Sequence, residues 1–252
     1  MTSPAGPLGH FLEIAIPTTD IAASVEFYER LGFAQCLTGD AWPHRYGVLS
    51  DGRIHLGLHE RAPRLEELTP CFVHPGVASE AGRLGRSGLT PVHVHAGEES
   101  LHHLWLADPA GHPVLIKEAR TFSPAPVDPA ADLSARSLCG SFLQLSLPEP
   151  DFQSARVFWE TAGFVGLPEE EEPYAHEPLT SDALDLAFHA PRSCDSSLLV
   201  FEYSGSALSE QLQGRQIQPQ MRPPRGLARP GNLLIEAPEG TLLLFVPSPA
   251  IG

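Results

Sequence analysis

Apolar and polar residues alternate over residues 11–17, the two-residue period of a strand with one buried face. Leu12, Ile14 and Ile16 share one face; Phe11, Glu13 and Ala15 share the other. The period then changes. Asp20 offers an N-cap, Ile21, Val25, Tyr28 and Leu31 recur at helical spacing, and Gly32 ends the helix. Strands are predicted around 44–50, 54–59 and 71–74, with a hairpin signal at Asp51-Gly52. A second helix over 78–86 precedes strands near 91–95, 104–107 and 114–117, the last opened by the turn Asp108-Pro109-Ala110-Gly111. The order reads βαβββ, repeated, with each helix covering one face of a mixed sheet.

The opening pattern returns 131 residues later without a gap. Residues 9–33 read GHFLEIAIPTTDIAASVEFYERLGF, and residues 140–164 read GSFLQLSLPEPDFQSARVFWETAGF. Gly9/Gly140, Phe11/Phe142, Leu12/Leu143, Pro17/Pro148, Asp20/Asp151, Phe27/Phe158, Glu29/Glu160, Gly32/Gly163 and Phe33/Phe164 are identical, which identifies a duplication. The match resumes at an offset of 129, where the Asp108 turn meets Ala237-Pro238-Glu239-Gly240. The expected modules are 9–118 and 139–248. Between them, 119–138 is a Pro- and Ala-rich linker with a short helix at its end. The predicted class is α+β: two tandem βαβββ modules whose mixed, curved sheets pair to form a cup. Side chains facing away from the helices would then converge on a shared hollow.

Composition narrows the partners. The 252 residues carry a formal charge of −15, which repels phosphate backbones and anionic lipid, so neither nucleic acid nor a membrane surface is an expected partner. No run of apolar residues is long enough to span a bilayer, and residues 1–9 lack the basic and apolar segments of a secretory signal. Cys36, Cys71, Cys139 and Cys194 lie far apart and form no CxxC pair. They read as buried free thiols in a reducing, cytoplasmic compartment.

A strand ending in proline, followed by Asp20, Ser24, Phe27, Tyr28, Leu31, Gly32 and Phe33 at D-x-x-x-S-x-x-F-Y-x-x-L-G-F spacing, resembles the start of a vicinal-oxygen-chelate module. The Asp108 turn resembles that superfamily's DPxG turn before the closing strand. The superfamily takes in glyoxalases, bleomycin-resistance proteins and extradiol dioxygenases. The resemblance implies a cup in which many members hold a divalent metal by a His, Gln or Glu on the first strand and a Glu on the last. The first-strand positions fall on Glu13 and Gln144, both suitable types. The last-strand positions fall on Leu115 and Leu244, which ligate nothing. The expectation is therefore that the usual metal site is lacking and no cofactor is held. If a divalent metal is bound, Glu13, His59 and Gln144 are its candidates.

Ten of the twelve histidines lie in the first module. Strand parity sets His55 and His59 opposite Ile54, Leu56 and Leu58. It likewise sets His93 and His95 opposite Val92 and Val94, and His103 and Trp105 opposite Leu104 and Leu106. In the second module His189 stands opposite Leu186 and Phe188. Glu13, His55, His59, His103, Trp105, Leu115, Gln144, His189 and Leu244 are the candidate cup-lining residues. His10, His74 and His112 read as surface or loop residues, and Asp108 as a turn residue. A carboxylate mid-strand such as Glu13 costs several kcal/mol to bury unpaired, on the order of the transfer penalty for a charged group, so it needs a partner.

This pattern predicts a metal-independent, glyoxalase-like protein that binds a small, partly aromatic or amphipathic molecule, as drug-sequestering members of the superfamily do. Phe11 and Phe142 would add apolar lining. The alternative is an enzyme: a divalent-metal-dependent lyase or isomerase, or an extradiol-type dioxygenase, using Glu13 and histidines. A structural role with a filled cup is the third reading. The modules are expected to pair within one chain, as a monomer, or across a homodimer.

Overall fold

The first change of period becomes a strand and then a helix in the computed structural model, which describes residues 6–97, 101–123, 137–182, 184–204, 207–220 and 222–248. The first half comprises β1 (His10–Thr18), α1 (Ile21–Leu31), β2 (Ala34–Gln35), β3 (Leu37–Thr38), β4 (Tyr46–Ser50) and β5 (His55–Glu60), then β6 (Thr69–Val73), α2 (Val77–Arg86), β7 (His93–His95), β8 (His103–Ala107), β9 (Pro113–Lys117) and β10 (Phe122–Ser123). The second half comprises β11 (Ser141–Pro148), α3 (Phe152–Thr161), β12 (Val165–Gly166), β13 (Glu177–Thr180) and β14 (Leu186–His189), then β15 (Leu198–Tyr203), α4 (Leu208–Gly214), β16 (Leu233–Glu236) and β17 (Leu242–Pro247). The expected linker begins with β10, which pairs with β3. Residues 124–136, where most of it and its expected helix fall, lie outside the described residues.

Local chemistry sets the helix ends. Asp20 caps α1 by accepting the backbone N–H groups of Ala22 and Ala23. Gly32 closes it at φ 99°, a left-handed conformation that a side chain would oppose. Asp151 repeats the cap on α3.

Each half forms one mixed sheet, in the order β2-β4-β5-β1-β6-β9-β8-β7 and β12-β13-β14-β11-β15-β17-β16. Two βαβββ arms of the first half meet where β1 pairs antiparallel with β6, while β1 runs parallel to β5 and β6 to β9. The architecture is thus the mixed α+β, two-module kind that the sequence predicts.

One register feature alters the predicted faces. The β1–β6 ladder slips between Phe11 and Glu13, and the β11–β15 ladder slips at the same place, between Phe142 and Gln144. A bulge advances the side-chain alternation by one residue. Phe11 therefore joins Ile14 and Ile16 on the helix side, against Phe72, and Leu12 turns to the other face with Val48 and Phe122. Phe142 likewise packs on Phe201 in the core. Neither phenylalanine lines a cup. Val92 and Val94, expected on a helix-covered face, lie at the sheet edge at 65% and 42% exposure, because β7 extends beyond the cover of α2.

The two sheets join through their helix sides. One core holds Ile14, Ile16, Phe27, Leu31 and Leu58 of the first half with Leu145, Leu147, Trp159, Phe188 and Phe245 of the second. Polar bonds cross this junction in a pseudo-symmetric pair. The Tyr28 hydroxyl on α1 donates to Glu239 at 2.8 Å, and Trp159 Nε1 on α3 donates to Asp108 at 3.3 Å. Tyr28 and Trp159 are equivalent positions of the repeat, and each reaches the closing-strand turn of the opposite half. Burial and the Glu239 carboxylate hold the Tyr28 phenol well above its ordinary range, so it remains a donor.

Removing that donor strands a carboxylate oxygen in a part-buried site. Tyr28→Phe is expected to lower unfolding stability by about 1.5–3 kcal/mol, the scale of a hydrogen bond to a charged group. Urea denaturation measures it, and Glu239→Gln in the same background should recover part of the loss.

Candidate functional site

The first-strand acid sits at the base of the first half. Glu13 and Lys117 are both fully buried, and the Lys117 ammonium bonds Glu13 Oε1. The Tyr46 hydroxyl donates to Glu13 Oε2 at 2.6 Å and lies 2.9 Å from Thr121 Oγ1. β1, β9 and β4 supply these three groups. Gly57 on β5 makes the space, because a Cβ there would lie 2.5 Å from Glu13 Oε2. Desolvation alone would raise the Glu13 pKa. The Lys117 charge, with help from His59, outweighs it and brings the carboxyl from 4.5 down to about 2. Burial and the same carboxylate push the Tyr46 phenol well above its ordinary range.

Above the ion pair lies a hollow of about 630 Å³, lined by Trp42, His44, His59, Leu65, His93, His95, His103, Trp105 and Leu115, with Asp40 and Arg64 among its charged residues. Trp42 lies between floor and hollow. Lys117 Nζ is 5.1 Å from its ring centroid, a cation–π contact. The same ring touches His44, His59 and His103 at centroid distances of 5.4–5.6 Å. His95 stacks on His103 at 4.8 Å.

Polar atoms of this wall lack partners. His44 Nε2 and His59 Nδ1 share a hydrogen bond of 2.8 Å. Their outer nitrogens, His44 Nδ1 and His59 Nε2, are buried without one, as is Trp42 Nε1. His59 Nε2 stands 3.9 Å from Glu13 Oε1, beyond hydrogen-bond length. Burial lowers the pKa of His59, and it lowers His44 to about 4, aided by the nearby Lys117 ammonium. Both imidazoles are therefore neutral at pH 7, so each offers one donor and one acceptor.

The structure brings together some of the expected residues. His59, His103, Trp105 and Leu115 line the hollow, and Glu13 lies under its floor. His55 faces the same side of the sheet but packs on the Phe122 ring, 4.8 Å away, outside the hollow. Gln144, His189 and Leu244 belong to the second half and do not approach it. Gln144 donates to the Tyr174 hydroxyl at 2.7 Å; His189 bonds Ser146 Oγ and the Cys194 carbonyl; Leu244 packs with Tyr174, Leu227 and Leu234. Among the described residues, no second-half side chain lines this hollow; the helix sides of the two sheets make the common core. Tyr174 and leucines fill the second face. His112, expected at the surface, is buried at the junction, where its turn meets Pro148.

Sequence reasoning missed Lys117, Tyr46, Trp42 and His44. Lys117 carried a signal: it follows Leu115 by two residues and so shares its face, a lone charge in the closing strand facing a lone carboxylate. Trp42 and His44 occupy a segment with no period to read.

Solved structures share this fold. The 2,3-dioxygenase LapB from Pseudomonas sp. KL28 aligns over 97% of this chain and 93% of its own, with a TM-score of 0.62 and 15% identity. Homoprotocatechuate 2,3-dioxygenase from Arthrobacter globiformis aligns over 98% and 82%, at 0.63 and 15%. The enzyme of that name from Brevibacterium fuscum, in complex with 3,4-dihydroxyphenylacetate, aligns over 97% and 82%, at 0.63 and 17%. The chain has the vicinal-oxygen-chelate fold. No family model and no curated protein sequence matches it.

The metal positions of the vicinal-oxygen-chelate pattern can be tested on this chain's own atoms. Both oxygens of Glu13 are taken, one by an ammonium and one by a hydroxyl. Leu115 and Leu244 have no ligand atom, and Gln144 is bonded to Tyr174 in the other half. A second cation beside Lys117 would be repelled. These residues do not fit a divalent ion.

Two measurements check the ion pair. Lys117→Met leaves the buried carboxylate alone and should cost about 3–5 kcal/mol, whereas Glu13→Leu with Lys117→Met should be close to neutral. The pH sign follows from the depressed Glu13 pKa. Its contribution is present above pH 4.5 and lost as pH falls toward 2. Urea unfolding at pH 5 and pH 3 should show a smaller acid loss in the double variant than in the unaltered protein.

Proposed function

We propose that this protein binds a small, partly aromatic or amphipathic molecule in the hollow of its first half, without a metal ion. The observation that carries the reading is Lys117, whose ammonium neutralises Glu13 from inside the protein, beside a leucine on the closing strand. The lining supports it: aromatic and leucine surfaces, with a few buried polar atoms that lack partners, are the usual makeup of a ligand pocket. The ligand is desolvated against Trp42, Trp105, Leu65 and Leu115, with the imidazoles of His93, His95 and His103 beside it.

The second reading is divalent-metal-dependent chemistry of the lyase, isomerase or extradiol dioxygenase kind. It draws support from the dioxygenase neighbours and from the five histidines around the hollow. It requires those imidazoles to re-aim: among the described residues, no three His, Cys, Asp or Glu side chains of the hollow bring their ligand atoms together.

Tryptophan fluorescence separates the two. Trp42 and Trp105 line the hollow, and Trp159 is sealed in the core. With 8-anilinonaphthalene-1-sulfonate as a flat amphipathic probe, quenching should saturate at one probe per chain in chelator-treated protein. Trp105→Ala should weaken binding about tenfold, roughly 1.4 kcal/mol, and Gln144→Leu should leave it unchanged. An unchanged Kd in Trp105→Ala would sink the proposal. Probe binding that disappears on chelation and returns with a divalent metal would favour the second reading.

A further inference from the structure

The junction between the halves holds a cluster that the hollow does not use. Asp108 and His112 lie in the turn between β8 and β9, and Glu149 follows β11 in the second half. All three are buried, and one ligand atom from each lies within 4.8 Å of the others, the one such group among the described residues. Glu149 is 1% exposed, and its Oε2 has no hydrogen-bond partner.

Both ring nitrogens of His112 face oxygen acceptors. Its Nδ1 lies 3.0 Å from Glu67 Oε2, and its Nε2 lies 2.9 Å from the Pro148 carbonyl oxygen. A neutral imidazole has one N–H. If that N–H serves Glu67, the Nε2 lone pair faces a carbonyl lone pair, with two carboxylates beside it. Something positive must stand there, a proton or a metal ion. A carboxylate that fixes one ring nitrogen and leaves the other to point at a cation is the usual outer support of a metal ligand. Asp108 Oδ1 is taken by the backbone N–H groups of Ala110, Gly111 and His112, but Oδ2 meets only the long bond from Trp159.

The repeat supplies an internal comparison. The counterparts of Asp108, His112 and Glu149 are Ala237, Thr241 and Thr18. At that second junction Glu239 has both oxygens partnered, by the Ser24 and Tyr28 hydroxyls. Among the described residues of these two junctions, Glu149 Oε2 is the buried carboxylate oxygen left unmet; Asp51 Oδ2, in the hairpin before β5, is another elsewhere.

We propose that Asp108, His112 and Glu149 bind a zinc-class divalent cation that fastens the two halves together. One imidazole and two carboxylates form a borderline N/O set suited to such an ion. On binding, the cation takes the place of a proton on His112 Nε2, and that proton passes to solvent.

The test is zinc titration of chelator-stripped full-length protein against a chromophoric chelator, with pH followed in weak buffer. One zinc per chain is expected, with proton release and a rise in the thermal midpoint. Glu149→Gln and His112→Gln should each weaken binding at least tenfold and abolish the thermal shift. Tyr28→Phe, at the other junction, and the Glu13→Leu/Lys117→Met pair, under the hollow, should keep it. No zinc uptake by a stripped, folded protein would overturn the proposal and leave the proton as the cation on His112. Uptake that survives both Glu149→Gln and His112→Gln, or that is lost in the hollow variant instead, would overturn it as well.

Discussion

A lysine and a glutamate, both closed off from water, meet beneath the hollow of the first half. Neither charge is tolerable there without the other, and each removes the other's need for an outside partner. The rest of the site is arranged around this pair. Gly57 gives the carboxylate room, Tyr46 uses its second oxygen, Trp42 lies over the ammonium, and Leu115 stands where an acid would add a charge with nothing left to balance. The lowered pKa values of His44, His59 and His103 follow from the same surroundings, since burial and a nearby ammonium both disfavour a second proton.

The halves are related in sequence but have diverged in what their open faces hold. The first keeps Trp42 and its ring of histidines around free space. The second has Tyr174 stacked on His176 and bonded to Gln144, with Leu227, Leu234 and Leu244 filling the remainder. The same positions of the repeat carry Glu13 and Gln144. A charged residue demanded a counterion from its own sheet, whereas an amide needed only a hydroxyl.

Much of the fold was legible because it is local. Asp20 and Gly32 bound α1, the two-residue period marks β1 and β5, and the duplication relates the halves. The site was less so, for reasons that particular residues show. A bulge in β1 exchanges the faces of Phe11 and Leu12, and alternation alone does not reveal where a bulge falls. Which residues share the hollow was not legible, because periodicity says which face of a sheet is apolar, not which faces of two sheets meet; here Phe27, Trp159, Phe201 and their neighbours join the helix sides. Lys117 was readable from its register with Leu115. Trp42 and His44 lie in an irregular segment positioned only by tertiary contacts, and His112 was hidden by the turn that carries it across to Pro148.

The sheets are joined through their helix sides, and the hollow is lined by first-half residues that are not part of that joint core. If the hollow takes a small molecule as proposed, its lining residues Leu65, Trp105 and Leu115 stand apart from the core that joins the two lobes, so occupancy would not require that seam to part.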